Sequence, residues 1–283
     1  MLSFIFKISR FRFWIYTGGT FVVGYALAAN AFADFLRVDY YIYLIYFFFL
    51  ANVFIYGVND YWDEETDKNN PKKDEKEHRI IDEEKNKLLK VIYLVTGISL
   101  ALMIFQTNLE RILFSIFLIL SYFYSSPPLR FKERPFLDFS SNYLYIMPGI
   151  FAYSMVANAL PSLIIMVGAY FHISAMHIFS AIPDIKYDRE AGINTTPVFI
   201  GKTASLILTL IFWLILSVIV ITLADFRLLS FLVLLYPLFP FLLLIKKDMD
   251  INNLYWYLPY VNTALGGLLF TALVLYKIFG IPI

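Results

Sequence analysis

The 283-residue chain has no cysteine. Disulfides and thiolate metal sites are therefore excluded. It also lacks a charge excess: 23 Lys and Arg against 22 Asp and Glu leave a net charge of +1. Nothing in that balance provides the basic surface that a nucleic-acid partner requires. The opening stretch, Met1 to Arg12, is basic and Phe-rich but has no short apolar core followed by a small-residue cleavage site. It reads as an interfacial segment leading into a membrane span, not as a removed signal. Polar residues as a class are scarce. Hydrophobic residues make up 60% of the chain and aromatic residues 19%, whereas an average soluble domain is about 45–50% apolar.

What is present is a series of apolar runs, most of them close to the roughly 20 residues needed to cross a bilayer. Nine are expected: Phe13–Ala33, Tyr40–Val58, Leu88–Phe105, Ile112–Tyr124, Asn142–Ala157, Pro161–Ile182, Ala204–Leu223, Leu228–Ile245 and Tyr255–Phe279. The expected fold class is all-α, a polytopic membrane bundle of nine transmembrane helices forming a single domain over residues 1–283. Gly18, Gly19 and Gly24 in the first span and Gly266 and Gly267 in the last predict close helix packing, because small residues let backbones approach.

The connecting segments alternate in character. The N-terminus and the loops after spans two, four, six and eight are basic. All but four of the 23 Lys and Arg lie there, the exceptions being Arg37, Arg111, Arg227 and Lys277. That bias places the basic side in the cytoplasm and requires an odd number of spans. The chain is thus expected to be a multi-pass protein of the cell membrane, with the lipid bilayer as its surroundings.

Two acidic clusters end even-numbered spans. Asn59, Asp60, Asp63 and Asp67 lie in the run NDYWDEETD. Asn59, Asp63 and Asp67 are four residues apart and share one face if the helix continues. Like charges at that spacing repel, and a hard cation such as Mg²⁺ turns the cost into a site. A solvated acidic helix end reads the same way when it stands alone. Asp184 and Asp188, in IPDIKYDREAG, repeat the spacing, with Pro183 expected to bend the helix just before them. Arg189 could simply neutralise Asp188. A third, basic segment, Tyr124-Ser-Ser-Pro-Pro-Leu-Arg130-Phe-Lys132, follows the fourth span. All three emerge on the same expected face, where they could converge. Carboxylates would hold Mg²⁺, and Arg130, Lys132 or Arg189 would neutralise remaining phosphate charge. This is equipment for a diphosphate leaving group. Deeper in the same spans, Asn52 and His177 each precede their cluster by two helical turns, about 10 Å, and Tyr56 precedes Asn59 by three residues. Polar groups at that depth face the bundle interior, so all three are candidate pocket residues. His172 lies off that face and is expected to be structural.

These motifs resemble those of the UbiA superfamily of intramembrane prenyltransferases. Asn59, Asp63 and Asp67 fit its Asn-x-x-x-Asp-x-x-x-Asp motif, Asp184 and Asp188 its Asp-x-x-x-Asp motif, and Tyr124 through Lys132 its Tyr-Ser-x-Pro-Pro loop. The resemblance implies nine helices around a central cavity open to lipid, Mg²⁺ dependence and a prenyl diphosphate donor. It makes Asn59, Asp63, Asp67, Asp184 and Asp188 the metal and diphosphate residues, with Lys132 and Arg130 on the phosphates and Tyr124 beside them. It also implies that the charged loop over residues 64–87 caps the site, with Arg79 near the donor. The run from His177 to Thr196 is most similar to lycopene elongases, which add dimethylallyl units to the ends of lycopene. A lipophilic carotenoid acceptor and a proton-accepting His177 follow as expectations. An aromatic quinone precursor is the alternative acceptor. A membrane cation transporter is the alternative of another class, disfavoured because its acids would sit near the midplane at broken helices.

Overall fold

The computed structural model describes residues 2–63, 80–246 and 248–281. Asp67, Arg79 and the expected cap as far as residue 79 lie outside the described residues. Among the described residues the chain is helical throughout and has no strand.

Six helices are long and apolar enough to cross a membrane: Val38–Trp62, Asp82–Met103, Leu163–Glu190, Lys202–Leu223, Leu228–Ile245 and Leu258–Lys277. They coincide with the expected spans two, three, six, seven, eight and nine. The other three expected spans fall on shorter or more polar helical segments. The first is a 3-10 turn at Phe11–Phe13, a π-helical turn at Ile15–Gly19 and an α-helix at Thr20–Ala28. It stops short of Ala33 because the Asp34 carboxylate accepts from the backbone N–H groups of Asn30 and Ala31, which turns the chain. The fourth is Asn108–Ser125, opened by a Thr107/Glu110 capping box, which satisfies two backbone donors at its start. The fifth is a 3-10 turn, Ser141–Tyr145, followed by Met147–Ala157. The third helix begins at Asp82, ahead of the expected Leu88, with Asp82, Glu83 and Glu84 in the first turn, where acids complement the helix dipole.

The chain divides into two compact units. One comprises Met1–Arg130, Met147–Leu160 and Phe270–Pro282, the other Phe131–Ile146 and Pro161–Leu269. In the first unit, helices Thr20–Ala28 and Met147–Ala157 meet at two glycines. A Cβ on Gly24 would lie 2.1 Å from the Gly149 carbonyl oxygen, so the contact excludes any side chain. Gly18 likewise sits under the Phe48 ring. Gly266 and Gly267 do not follow the expectation: a Cβ on either would meet nothing within 4 Å. Their helix is only 11% buried over its apolar window, against 61% for Val38–Trp62, so an added methyl has open space on that side. Rings of Tyr43, Phe47, Phe114, Phe117 and Phe151 interlock edge-on and tilted across the same unit. The N-terminal helix Leu2–Ile8 buries Phe4 and Ile8 against Val53, Phe54 and Val58 of the second span. In the second unit, Trp213 is fully buried, stacked on Tyr236 and tilted against Phe179. His172 meets the Tyr236 ring edge-on at 4.7 Å, in keeping with a structural role.

Candidate active site

The second span ends at Trp62, and Asp63 is its C-cap residue. The helix therefore carries Asn59 on its last turn, and of the face expected for three residues the described part is Asn59 and Asp63. The Asp63 N–H still reaches the Asn59 carbonyl at 3.0 Å. Asn59 Nδ2 donates to Asp63 Oδ2 at 2.6 Å and to Ser125 Oγ at 2.9 Å. Those two bonds fix the orientation of the amide through its nitrogen. Arg130 places Nη2 3.5 Å from Asp63 Oδ1, with the Asp63 side chain 4% exposed and that of Arg130 25% exposed. Arg130 holds this position with a backbone φ of 41°, a left-handed conformation that costs a non-glycine residue about 1–2 kcal/mol. Tyr124 is half-buried on the last turn of Asn108–Ser125.

Asp60, inside the same acidic run, has a different partner. Arg10 Nη2 donates to Asp60 Oδ1 at 2.5 Å, with side chains 11% and 4% exposed. The Arg10 guanidinium also lies 4.6 Å over the Tyr56 ring, which Phe13 flanks from the side. Tyr56 thus lies beneath an ion pair, in a wall made by the N-terminal segment. Asn52 takes a different place from the pocket lining expected of it. It is fully buried and donates to Thr17 Oγ1 at 2.6 Å and to the carbonyls of Phe47 and Phe48 at 3.1 and 3.0 Å. The cause is the π-helical turn Tyr46–Leu50, which removes carbonyls from the regular ladder. Asn52 and Thr17 satisfy them, and Asn52 becomes an interhelical tie.

In the second unit, the sixth-span helix Leu163–Ala181 tightens to a 3-10 turn at Ile182–Asp184, at Pro183, and resumes as Ile185–Glu190. Asp184 and Asp188 are half-buried and Arg189 is exposed. The acidic helix closes on Gly192 at φ 73°. Gly192 N–H bonds to the Arg189 carbonyl and Ile193 N–H to that of Asp188, the paired bonds of a Schellman cap. The chain returns through Thr195, whose Oγ1 donates to Asp188 Oδ2 at 3.3 Å. Thr196 donates its N–H and its hydroxyl to the two oxygens of Asp138, at 2.6 and 2.5 Å. Asp138 is fully buried, and His177 Nε2 lies 3.8 Å from its Oδ2. Lys132 is half-buried in a 3-10 turn, Phe131–Glu133.

Sequence reasoning missed Ser125, the Arg10–Asp60 pair, Thr195, Thr196 and Asp138. Asp138 carried one sign, an acid inside the apolar run Pro135-Phe-Leu-Asp138-Phe.

Among the described residues, no three acidic or His side chains cluster closely enough to hold a metal alone. The expected donors are nevertheless of one kind: carboxylates of Asp63, Asp184 and Asp188 and the Asn59 carbonyl. Mg²⁺ takes hard oxygens, often one or two carboxylates with water and substrate phosphate. The residues present fit it.

Comparison with known proteins bears on this arrangement. The chain is 37% identical over 268 residues to a lycopene elongase/hydratase of Haloferax volcanii, covering 95% of this chain and 87% of that one. It is 36% identical over 277 residues to one of Haloarcula japonica, covering 98% and 92%. Among solved structures, a UbiA homologue of Archaeoglobus fulgidus bound to GPP and Mg²⁺ shares the fold with a TM-score of 0.68 at 20% identity, covering 94% of this chain and 99% of that one. The same homologue bound to DMAPP and Mg²⁺ gives 0.66 at 20% identity, with the same coverage. The UbiA prenyltransferase family matches residues 18–254, and the chain belongs to that family.

Proposed function

We propose that this enzyme transfers a dimethylallyl group from its diphosphate to lycopene or a related carotenoid, with Mg²⁺, at the cytoplasmic face of the cell membrane. The observation that carries the donor half is the end of the second span. A buried carboxylate, an oriented amide and a guanidinium stand together there: Asp63, Asn59 and Arg130. Acidic oxygens for a metal beside a cation for phosphate are what a diphosphate needs. The acceptor half is supported by the near full-length similarity to two lycopene elongase/hydratases. The five-carbon donor belongs to the elongase reading, and the A. fulgidus homologue, which binds both GPP and DMAPP, is compatible with it.

In this reading Asn59, Asp63, Asp67, Asp184 and Asp188 would hold the metal and diphosphate. Bound Mg²⁺ would supply positive charge to the departing diphosphate. Arg130 and Lys132 neutralise phosphate oxygens, and Arg189 adds charge at the rim. Asn59 and Ser125 hold Asp63 in place. The cation left by the donor needs dry surroundings, which the apolar helices provide by excluding water. A terminal double bond of the acceptor then attacks, and His177 accepts the proton released.

The reading is tested by expression in lycopene-producing bacteria and mass analysis of the pigments. The expected result is carotenoid heavier by five-carbon units, with or without added water. Unchanged lycopene, despite inserted protein and supplied dimethylallyl diphosphate, would overturn the carotenoid acceptor; a prenylated aromatic product would replace it. Asp63→Ala and Asp184→Ala should each reduce turnover by on the order of 10²-fold or more. Retained Mg²⁺-dependent turnover in either removes that motif from the mechanism.

A further inference from the structure

We propose that Asp138 is a positioning residue of the proton-accepting step, acting through His177. The proposal rests on the prenyl-transfer reading above and extends it to a residue outside every motif so far considered. Asp138 is a fully buried carboxylate in a membrane protein. Such a group is costly unless its oxygens are satisfied. Thr196 meets both of them, by its N–H at 2.6 Å and its hydroxyl at 2.5 Å. The Thr196 hydroxyl in turn accepts the Phe136 N–H at 2.7 Å. These bonds lock Asp138 to the segment that carries Thr195, and Thr195 donates to Asp188 of the second acidic motif. The remaining neighbour of the carboxylate is His177, its Nε2 3.8 Å from Oδ2 and its side chain 14% exposed. One end of the imidazole thus faces a fixed buried carboxylate, while the ring keeps some open surface. A carboxylate in this position steadies the imidazolium once the other nitrogen takes a proton and, drawn within hydrogen-bond reach, would hold the ring in one tautomer. Hydrogen bonds of catalytic dyads are often long before substrate binds.

The chemistry requires one such acceptor. The allylic C–O bond of the donor breaks and the diphosphate leaves with its electron pair. The acceptor double bond supplies the pair for the new C–C bond, leaving a tertiary cation. That cation either loses a neighbouring C–H proton to form an alkene or bonds a water oxygen and sheds one water proton. In both outcomes one proton leaves, and it goes to His177 Nδ1, the nitrogen not facing Asp138.

The test uses full-length protein in liposomes with Mg²⁺, dimethylallyl diphosphate and lycopene. It has two readouts: diphosphate release without acceptor, and elongated carotenoid. His177→Gln and Asp138→Asn should lower elongation by on the order of 10²-fold, and lower acceptor-free release by a much smaller factor. The ratio of alkene to alcohol product should also shift. Thr196→Val, which removes one bond to Asp138, should show the same split more weakly, and Thr196→Ser should reverse it. If Asp138→Asn does not insert, His177→Gln and the Thr196 pair decide by the same ratio. Equal losses in both readouts would show that Asp138 only knits the loops together, and would overturn the proposal. So would elongation within about twofold of wild type, well below the range expected of a lost proton acceptor. Wild-type protein that cleaves no prenyl diphosphate would overturn the underlying reading, and the dyad with it.

Discussion

Asp60 and Asp63 are three positions apart in one acidic run, yet they have different partners. Asp63 faces Asn59 and Arg130, whereas Asp60 is held by Arg10 over the Tyr56 ring. Asp60→Asn should therefore weaken the fold, by on the order of 2 kcal/mol for a buried charge-assisted bond, and leave Mg²⁺-dependent turnover largely intact. Arg10→Met combined with Asp60→Asn should recover part of the loss, because the buried cation goes with its partner. Thermal unfolding in detergent and turnover per folded protein check this. Turnover lost without a lower melting temperature would instead place Asp60 in the site. The four-residue spacing singled out Asn59, Asp63 and Asp67 in the sequence and passed over Asp60, which the structure pairs with Arg10. Its partner was not legible there, because Arg10 lies 50 positions away and reaches Asp60 only where Leu2–Ile8 has docked. Asp138 was hidden for the same reason: the hydroxyl that satisfies it is 58 positions on.

Helix boundaries show what a hydropathy pattern can and cannot carry. Apolar runs located the long helices but not their polar ends: the third starts at Asp82 and not at Leu88, and the sixth runs past Ile182 to Glu190. The end of the first helix depended on Asp34 capping a turn, and the interhelical tie made by Asn52 depended on a π-helical turn at Tyr46–Leu50. Neither leaves a trace in periodicity. Glycine content was equally ambiguous, since Gly24 and Gly267 look alike in sequence. At Gly24 an added methyl would strike the Gly149 carbonyl, while at Gly267 it would meet nothing. Gly24→Ala should destabilise by about 1–3 kcal/mol through overpacking, visible as a lower melting temperature and less folded protein. Gly267→Ala should be neutral or stabilising by up to about 1 kcal/mol, the difference in helix propensity. Equal effects at the two positions would show that the helix crossing is looser than the Gly24–Gly149 approach implies.

The basic bias of the loops is a property of the whole chain, and it makes a directional prediction. Positive residues near span ends resist translocation, so their side stays in the cytoplasm. Arg134 and Lys186 follow even-numbered spans, whereas Ser162 and Asp225 flank odd-numbered ones, and all four are exposed. The chain has no native cysteine, so a single introduced thiol reports its own side without any background. Arg134→Cys and Lys186→Cys should resist a membrane-impermeant maleimide added to intact cells and react in inverted vesicles. Ser162→Cys and Asp225→Cys should do the reverse. The two pairs also test the number of crossings between them. Ser162 and Lys186 lie at opposite ends of the helix Leu163–Ala181, and Lys186 and Asp225 on either side of Lys202–Leu223. Opposite labelling within each pair requires an odd number of crossings. Lys186→Cys labelled from outside would turn the Asp184/Asp188 motif away from the cytoplasm, where soluble dimethylallyl diphosphate is made available to the site in the proposed reaction. The donor assignment would then fail on access alone, whatever the motif spacing.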